Sequence, residues 1–196
     1  MNERLYLLEI NLVDIEPVIW RRFVVPASIT LDRLHDVIQI VMGWTDSHLH
    51  EFSFGKKRYT EYPEHKGDGL MCGKYRLGDL IKQKGRGFDY IYDFGDGWQH
   101  YLILEDNRYT SSDLHYEIEC LDGARACPPE DVGGARGYNE FLRILSDPDH
   151  EDYESTREWL GVEFDSERFD TDEVNWDLIK YLRWSRDRYL KWKNPY

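Results

Sequence analysis

The chain has 196 residues, of which 41% are hydrophobic and 15% aromatic, and its formal net charge is −13. This composition excludes a disordered chain, and the length is sufficient for a buried core. The excess of carboxylates disfavours non-specific binding of nucleic acid, because affinity for phosphates comes mainly from Lys and Arg. There is no apolar run of about eighteen residues and no basic, apolar leader, so we expect neither a membrane span nor a signal peptide. The three cysteines form no dense disulfide framework, which is typical of a soluble cytoplasmic protein.

The first sixty residues carry strand patterns on either side of one helix pattern. The expected strands lie at 4–15, 18–25, 48–54 and 56–62, and the expected helix at 31–42. Pro17 separates the first two strands, since proline cannot donate to a sheet ladder. Thr30 is a suitable N-cap for the helix, and Gly43 is suited to end it.

The second half of the chain begins with strand patterns and ends with helix patterns. After a polar loop at 63–74, the expected elements are a helical turn at 77–83, a hairpin over 88–105, a strand at 115–121 and helices at 138–146, 151–160 and 174–192. This order predicts the α+β class, with a mixed or antiparallel sheet of about 6–7 strands, one N-terminal crossover helix and a helical C-terminal part. We expect residues 1–135 to form the sheet part and 136–196 the helical part, packed as one structural unit.

Asp96-Gly97 is the clearest turn signal, because Asp-Gly suits the positive φ angles of a two-residue type I′ turn. A turn at these residues places Asp93 opposite His100, which predicts a carboxylate–imidazole pair with a raised His100 pKa. The side chains predicted to share the core face are Phe88, Tyr90, Tyr92, Phe94, Tyr101 and Ile103. Trp98 is expected to be exposed beside the turn, in a position suited to contact a partner.

His48 and His50 are one residue apart and alternate with Phe52 and Phe54 on one face of the expected strand. Two imidazoles on one face suit a metal ion. The alternative is a pair of histidines at the rim of an aromatic core, donating to backbone carbonyls.

Residues 127–134, Cys-Pro-Pro-Glu-Asp-Val-Gly-Gly, predict a loop of defined shape, because the prolines stiffen the chain and the glycines permit unusual conformations. Glu130 and Asp131 lie at its centre. They are candidates for cation binding or for acid–base chemistry with His100. The alternative is that one of them caps the following helix.

The cysteines offer a second candidate metal site. Cys120 and Cys127 lack the spacing of a zinc knuckle, but with Cys72 and His65 they make up a tetrahedral donor set. Buried free thiols are the alternative. No cofactor is predicted, and a divalent metal stays open. Its candidate ligands are His50, Asp93, His100, Cys120 and Cys127.

Charge is unevenly distributed towards the C-terminus. Residues 146–173 are strongly acidic, whereas residues 178–196 are basic and include Trp184, Tyr189 and Trp192. Either the two segments neutralise each other and face water, or the basic one docks on an acidic partner.

Several motifs follow one another along the chain. They are His48-Leu49-His50-Glu51-Phe52, YDFGDGW at 92–98 and ACPPEDVGG at 126–134, with Trp20-Arg21-Arg22, GWTDSH at 43–48, Trp159-Leu160-Gly161 and the segment from Phe169-Asp170 to Val174-Asn175. Together they resemble the plasmid pRiA4b ORF-three-like family over nearly the whole chain. The resemblance implies a compact α+β domain, known from plasmids, from mobile-element passengers and from bacterial and archaeal genomes. It implies no settled activity and transfers no catalytic residue.

Three functions from different classes fit these residues. The favoured one is a binding or adaptor domain that recognises an unidentified protein or small molecule, without a membrane partner. Its candidate binding residues are His48, His50, Asp93, Asp96, Trp98, His100, Glu130 and Asp131. The second is a metal-dependent hydrolase that uses Asp93, His100, His50, Glu130 and Asp131. The third is a nucleic-acid accessory protein of mobile elements, which the net charge disfavours.

Overall fold

The computed structural model describes residues 4–65 and 67–188, with side chains as far as residue 182. Eight strands form one sheet in this part of the chain. They are β1 (Leu5–Leu12), β2 (Trp20–Pro26), β3 (His50–Phe54), β4 (Lys57–Thr60), β5 (Leu70–Met71), β6 (Gly87–Tyr92), β7 (Trp98–Asp106) and β8 (Glu119–Ala124). The order across the sheet is β5-β4-β3-β6-β7-β1-β2-β8. The pairing of β4 with β5 is parallel and the other pairings are antiparallel.

In the described part of the chain, two α-helices lie between strands and three follow the last strand, β8. They are α1 (Leu31–Met42), α2 (Leu77–Leu80), α3 (Gly134–Leu145), α4 (Tyr153–Leu160) and α5 (Thr171–Arg188). The predicted α+β class is confirmed, with slightly more strands than expected because the two-residue β5 lies in a stretch predicted as loop. The predicted last helix begins three residues earlier, at Thr171, and residues 189–196 of the basic segment lie outside the described residues. Within the described ranges, no helix combines the length and hydropathy needed to cross a bilayer.

Helix α1 connects β2 to β3 and supplies much of the core. Its apolar face is fully buried, through Leu31, Leu34, Val37, Ile38 and Val41. Burying a side chain of this kind contributes about 1.5–3 kcal/mol. Gly43, with φ 107°, donates its backbone N–H to the Gln39 carbonyl and ends the helix as predicted. Tyr138 of α3 and Leu178 of α5 belong to the same core cluster, so the C-terminal helices pack on the sheet's core.

Asn175 of α5 covers the edge strand β8. Its side-chain Oδ1 accepts the Cys120 N–H at 2.8 Å, and its Nδ2 donates to the Cys120 carbonyl at 2.8 Å. The amide therefore takes the place of a neighbouring strand and protects an edge that is otherwise open to pairing.

Arg21 joins the end of α1 to the end of β8. Its buried guanidinium donates to the carbonyls of Val41, Ala124 and Arg125 at 2.7–2.8 Å. Because a buried charge is tolerated only with partners, these carbonyls are held around it. The loop that follows β8 consequently starts beside the segment that follows α1, and this brings the two regions of the candidate site together.

Candidate functional site

The hairpin of β6 and β7 has a different register from the predicted one. Tyr92 pairs with Trp98, so that Asp93 to Gly97 form the connecting loop. Asp93 adopts a left-handed conformation with φ 55°, and its carbonyl accepts the Gly97 N–H at 2.6 Å. The register differs by an odd number of residues, which turns the other face of β7 towards the core. Of the side chains predicted to face the core, Phe88, Tyr90 and Tyr92 are buried and Phe94 and Tyr101 are exposed.

His100 therefore faces the core and lies opposite Tyr90. Its Nδ1 lies 3.3 Å from the Tyr90 carbonyl, and its Nε2 accepts the Trp44 indole N–H at 3.4 Å. Burial lowers the pKa of His100 to about 4. The predicted pair with Asp93 and the predicted rise in pKa are both wrong. Trp98 is also buried, so neither residue contributes to an exposed recognition surface.

The loop that contains Glu130 and Asp131 is anchored on the tip of this hairpin. The Gly133 N–H donates to Asp96 Oδ2 at 3.0 Å. At Gly134, which has φ 66°, an added Cβ would lie 2.3 Å from the Asp96 carbonyl oxygen, so this contact requires glycine. Asp96 thus has a positioning role. The alternative in which Glu130 or Asp131 caps α3 is wrong, since the N-cap of α3 is Gly133 and no side-chain cap bond is present.

Glu130 points inward from this loop. Its Oε1 accepts three hydrogen bonds, from the Thr45 N–H at 2.8 Å, the Thr45 hydroxyl at 3.0 Å and the Tyr92 hydroxyl at 2.9 Å. Burial raises the pKa of Tyr92, which keeps its hydroxyl protonated as a donor. With Oε1 fully occupied, Oε2 is buried and has no hydrogen-bond partner among the described residues.

His48 faces three carboxylates from the two loops. Its Nε2 lies 3.2 Å from Asp131 Oδ1, 3.8 Å from Asp93 Oδ2 and 3.9 Å from Glu130 Oε2. None of these oxygens lies where the ring N–H could donate to it, so the buried Nε2 has no hydrogen-bond partner in the described part of the chain. Donor atoms that share one ion at about 2.1 Å are roughly 3–4 Å apart. His48, Asp93 and Asp131 offer ligand atoms that all lie within 4.8 Å of one another, which is the spacing of a metal centre, and Glu130 Oε2 lies beside His48 Nε2 as a fourth candidate donor.

This centre is closed on one side and open on the other. The Asp93 side chain is 9% exposed, whereas that of Asp131 is 72% exposed. Asp93 and Asp131 both have left-handed backbones, with φ 55° and 57°. Such conformations cost about 1–3 kcal/mol at residues other than glycine and are concentrated at functional sites.

A second group with metal-ligand side chains consists of His35, Asp36 and Asp46. His35 Nε2 lies 2.8 Å from Asp46 Oδ1, and Nδ1 lies 2.7 Å from the Tyr90 hydroxyl. Because Gln39 Nε2 donates to that hydroxyl at 2.9 Å, the hydroxyl donates to Nδ1, and the His35 proton is on Nε2, where it reaches Asp46. This hydrogen bond lowers the pKa of Asp46. Both ring nitrogens are satisfied by protein groups.

His50 is stacked on His35, with ring centroids 3.5 Å apart and an interplanar angle of 8°. Burial lowers the pKa of His50 to about 3, so the ring is neutral at neutral pH. Neither of its nitrogens has a hydrogen-bond partner among the residues that the structure describes. The candidate metal pair of His48 and His50 does not form, since His48 precedes β3 in a loop and His50 lies inside the core.

The cysteines stay apart from these groups. Cys72, Cys120 and Cys127 are free thiols, and burial raises the pKa of Cys72 and of Cys120 to about 12. In the described ranges, the groups of three or more closely spaced His, Cys, Asp or Glu ligand atoms contain no cysteine. The described residues therefore do not form the candidate tetrahedral site with His65, and the alternative of free thiols is the one that the structure contains.

Sequence reasoning missed Thr45 and Tyr92, which orient Glu130. Their signal was present, because both lie in motifs that resemble the family, one in Gly-Trp-Thr-Asp-Ser-His and the other at the start of YDFGDGW. A core position for Tyr92 was predicted correctly. The orientation of Glu130 by Tyr92 depends on the tyrosine hydroxyl, which donates a hydrogen bond to Glu130 from the edge of the core.

The comparison with known proteins agrees with the resemblance seen in the motifs. The sequence model of the plasmid pRiA4b ORF-3-like protein family matches residues 4–173 of this chain. The chain belongs to this family. It is 39% identical over 171 residues to the uncharacterized protein y4hQ of Sinorhizobium fredii, an alignment that covers 86% of this chain and 87% of y4hQ.

A solved member of the same fold supports the architecture. The crystal structure of the protein of unknown function MM3350 from Methanosarcina mazei Go1 aligns with a TM-score of 0.78 and 40% identity. The alignment covers 89% of this chain and 99% of that protein. All four side chains of the candidate metal centre lie within the part that the family description matches.

Proposed function

We propose that this family member is a cytoplasmic domain that binds a divalent metal ion through His48, Asp93, Glu130 and Asp131. The observation that carries the proposal is the buried His48 Nε2, which has no hydrogen-bond partner among the described residues although three carboxylate oxygens lie within 3.2–3.9 Å of it. A ring nitrogen and carboxylates that approach one another without hydrogen bonding are suited to share an ion.

The charges at the centre support the same proposal. Three carboxyl groups surround one imidazole, so acidic side chains outnumber basic ones at the centre. The Asp93 and Glu130 side chains are mostly removed from water, at 9% and 18% exposure. Because a buried carboxylate is costly without a compensating charge, a divalent cation supplies what the described side chains lack.

The donor atoms indicate which ions to test. One imidazole nitrogen with carboxylate oxygens suits Zn²⁺, Mn²⁺ or Fe²⁺, whereas Ca²⁺ and Mg²⁺ take oxygen ligands. Glu130 is already oriented by Thr45 and Tyr92, as ligands in metal sites are oriented by outer hydrogen bonds.

Elemental mass spectrometry of tag-free protein, followed by calorimetric titration of the chelator-treated protein with Zn²⁺ and Mn²⁺, tests the proposal. We expect about one ion per chain, and a loss of affinity of at least about 100-fold in His48→Ala and in Asp93→Asn, because even the outer partners of metal ligands contribute up to about that factor. The matched controls are His115→Ala and Asp113→Asn, which make the same changes at exposed positions between β7 and β8. Equal affinities in the site and control variants would disprove the site.

Hydrolysis is a second candidate function, and the exposure of Asp131 favours it. A side chain that is 72% exposed leaves the centre open to water and substrate. A bound divalent ion at an open site supplies a nucleophile by lowering the pKa of water to about 7. We expect metal-dependent cleavage of ester or phosphoester substrates that Asp93→Asn removes. Turnover that persists in this variant, or without metal, counts against hydrolysis while leaving metal binding intact.

A further inference from the structure

A cavity of about 720 Å³ adjoins the candidate metal centre. Its walls include Leu49 and Phe94, which follow the candidate ligands His48 and Asp93 directly in the chain. The Asp93 N–H donates to the Leu49 carbonyl at 2.9 Å, and this bond holds the two segments side by side. The volume is in the range of small-molecule sites, about 300–1,000 Å³.

The rim of the cavity is apolar and exposed. Leu49 and Phe94 are each 56% exposed, and Tyr62 is 70% exposed. Single exposed apolar residues are ordinary, but three at the rim of one cavity provide a surface for the apolar body of a ligand. Two of the three are aromatic rings, whose faces attract cations.

The charge of the described wall is negative. Its carboxylates include Glu61, Glu64 and Asp68. Its cation, Arg58, is already paired with Glu51 at 3.1 Å and donates to the Gly67 carbonyl at 2.7 Å. Asp68 Oδ2 accepts the backbone N–H groups of Glu64 and His65 at 3.1 and 2.6 Å, so this carboxylate also orders the loop. Because Arg58 is occupied, Glu61, Glu64 and the second oxygen of Asp68 are complementary to a positively charged ligand.

His50 provides an independent observation at the inner wall. It is 2% exposed and lines both this cavity and a neighbouring one of about 410 Å³, together with Glu61. Both of its ring nitrogens lack a hydrogen-bond partner among the described residues. Buried polar groups are nearly always satisfied, so an orphaned imidazole in a cavity wall indicates a position where a ligand completes the hydrogen bonding.

We propose that this cavity binds a small organic amine with an aromatic or branched apolar body. The ammonium group lies among the carboxylates of Glu61, Glu64 and Asp68, and the apolar body rests on Leu49 and Phe94. The His50 ring forms a hydrogen bond with a polar group of the ligand. The further claim that this amine is the substrate of the adjoining centre rests on the proposed metal-binding function. The claim that the amine binds in the cavity does not depend on that function.

Calorimetric titration with tryptamine and with indole-3-propionate tests the charge preference, since the two probes share an indole and differ in the sign of charge. We expect tryptamine to bind at least about tenfold more tightly, a difference of roughly 1.4 kcal/mol. Glu61→Gln with Glu64→Gln should reduce this preference, whereas the control Glu151→Gln, at an exposed position before α4, should not. The ring ¹⁵N signals of His50 should shift on binding of tryptamine to the wild type.

Equal binding of the two indoles, or no shift at His50, would overturn the proposal. Binding of a lysine-rich peptide without binding of tryptamine would overturn it as well, in favour of a macromolecular partner. His48→Ala separates the two proposals, because it should lose the metal and retain tryptamine. If chelator-treated wild-type protein binds no metal but still binds tryptamine, the metal proposal fails and the amine site stands.

Discussion

The two groups of histidines and carboxylates in this protein contain the same residue types but differ in hydrogen bonding. In the group around His35, both ring nitrogens have partners, Asp46 and the Tyr90 hydroxyl. In the group around His48, three carboxylates surround a nitrogen that donates to none of them. Residue type and proximity therefore do not identify a metal centre. The unsatisfied atoms of the His48 group support the proposed metal site, whereas the satisfied His35 group is a structural network.

The largest difference between the two groups should be in the rise of the free energy of unfolding that metal causes in variants of each group. A ligand present at about 1,000 times its Kd raises the free energy of unfolding by about 4 kcal/mol. We expect this rise with Zn²⁺ or Mn²⁺ in the wild type and in Asp46→Asn, but not in His48→Ala. Denaturant titrations with and without metal measure it. If Asp46→Asn also loses the response, the two groups are not independent.

Acidification should destabilise the fold through His100. Its folded pKa, about 4, is below the unfolded value of about 6.5, so its contribution is fully present above about pH 6.5 and is lost as the pH falls towards 4. The corresponding loss is about 3 kcal/mol. His100→Gln lacks this titration while retaining a donor and an acceptor. The stability difference between pH 7 and pH 4 should thus be smaller in the variant than in the wild type.

Gly134→Ala should destabilise the protein by about 2 kcal/mol and weaken metal binding, because the new Cβ displaces the loop from Asp96. Gly133→Ala is the matched control. Its φ is also positive, at 93°, but the nearest atom to an added Cβ is 3.5 Å away. Thermal unfolding and metal titration of both variants make the comparison. Identical effects would indicate that backbone strain, not the Asp96 contact, decides the loop position.

Two tyrosines of β6 offer the smallest and most specific test. Tyr90→Phe removes the hydroxyl between His35 and Gln39 and should cost about 1–3 kcal/mol without changing metal affinity. Tyr92→Phe removes the donor to Glu130 and should weaken metal binding about tenfold. The same titrations measure both variants. A loss of metal affinity in Tyr90→Phe would mean that the groups around His35 and His48 are energetically coupled.

Much of the framework was predictable because its causes are local. The apolar periodicity of α1 and the glycine at its end indicated both its position and its length, since a helix buries one face and needs a left-handed residue to stop. The short strand β5 was missed because two residues carry no periodicity. Its pairing with β4 depends on the chain passing beside Tyr59 and Thr60.

The class of the fold, the family and most of the residues that line the candidate centre were predictable from the amino-acid sequence. Which of these residues come into contact depends on how the chain is packed. Asp-Gly indicated a tight turn at 96–97, but burial of Trp98 and His100 requires the other register, because a turn contributes less than a buried aromatic face. Glu130 reaches Thr45 across 85 positions of the chain through the packing of β8 beside β2 and the contact of Gly134 with Asp96. No local sequence pattern predicts this contact, because it results from the way the whole sheet is assembled.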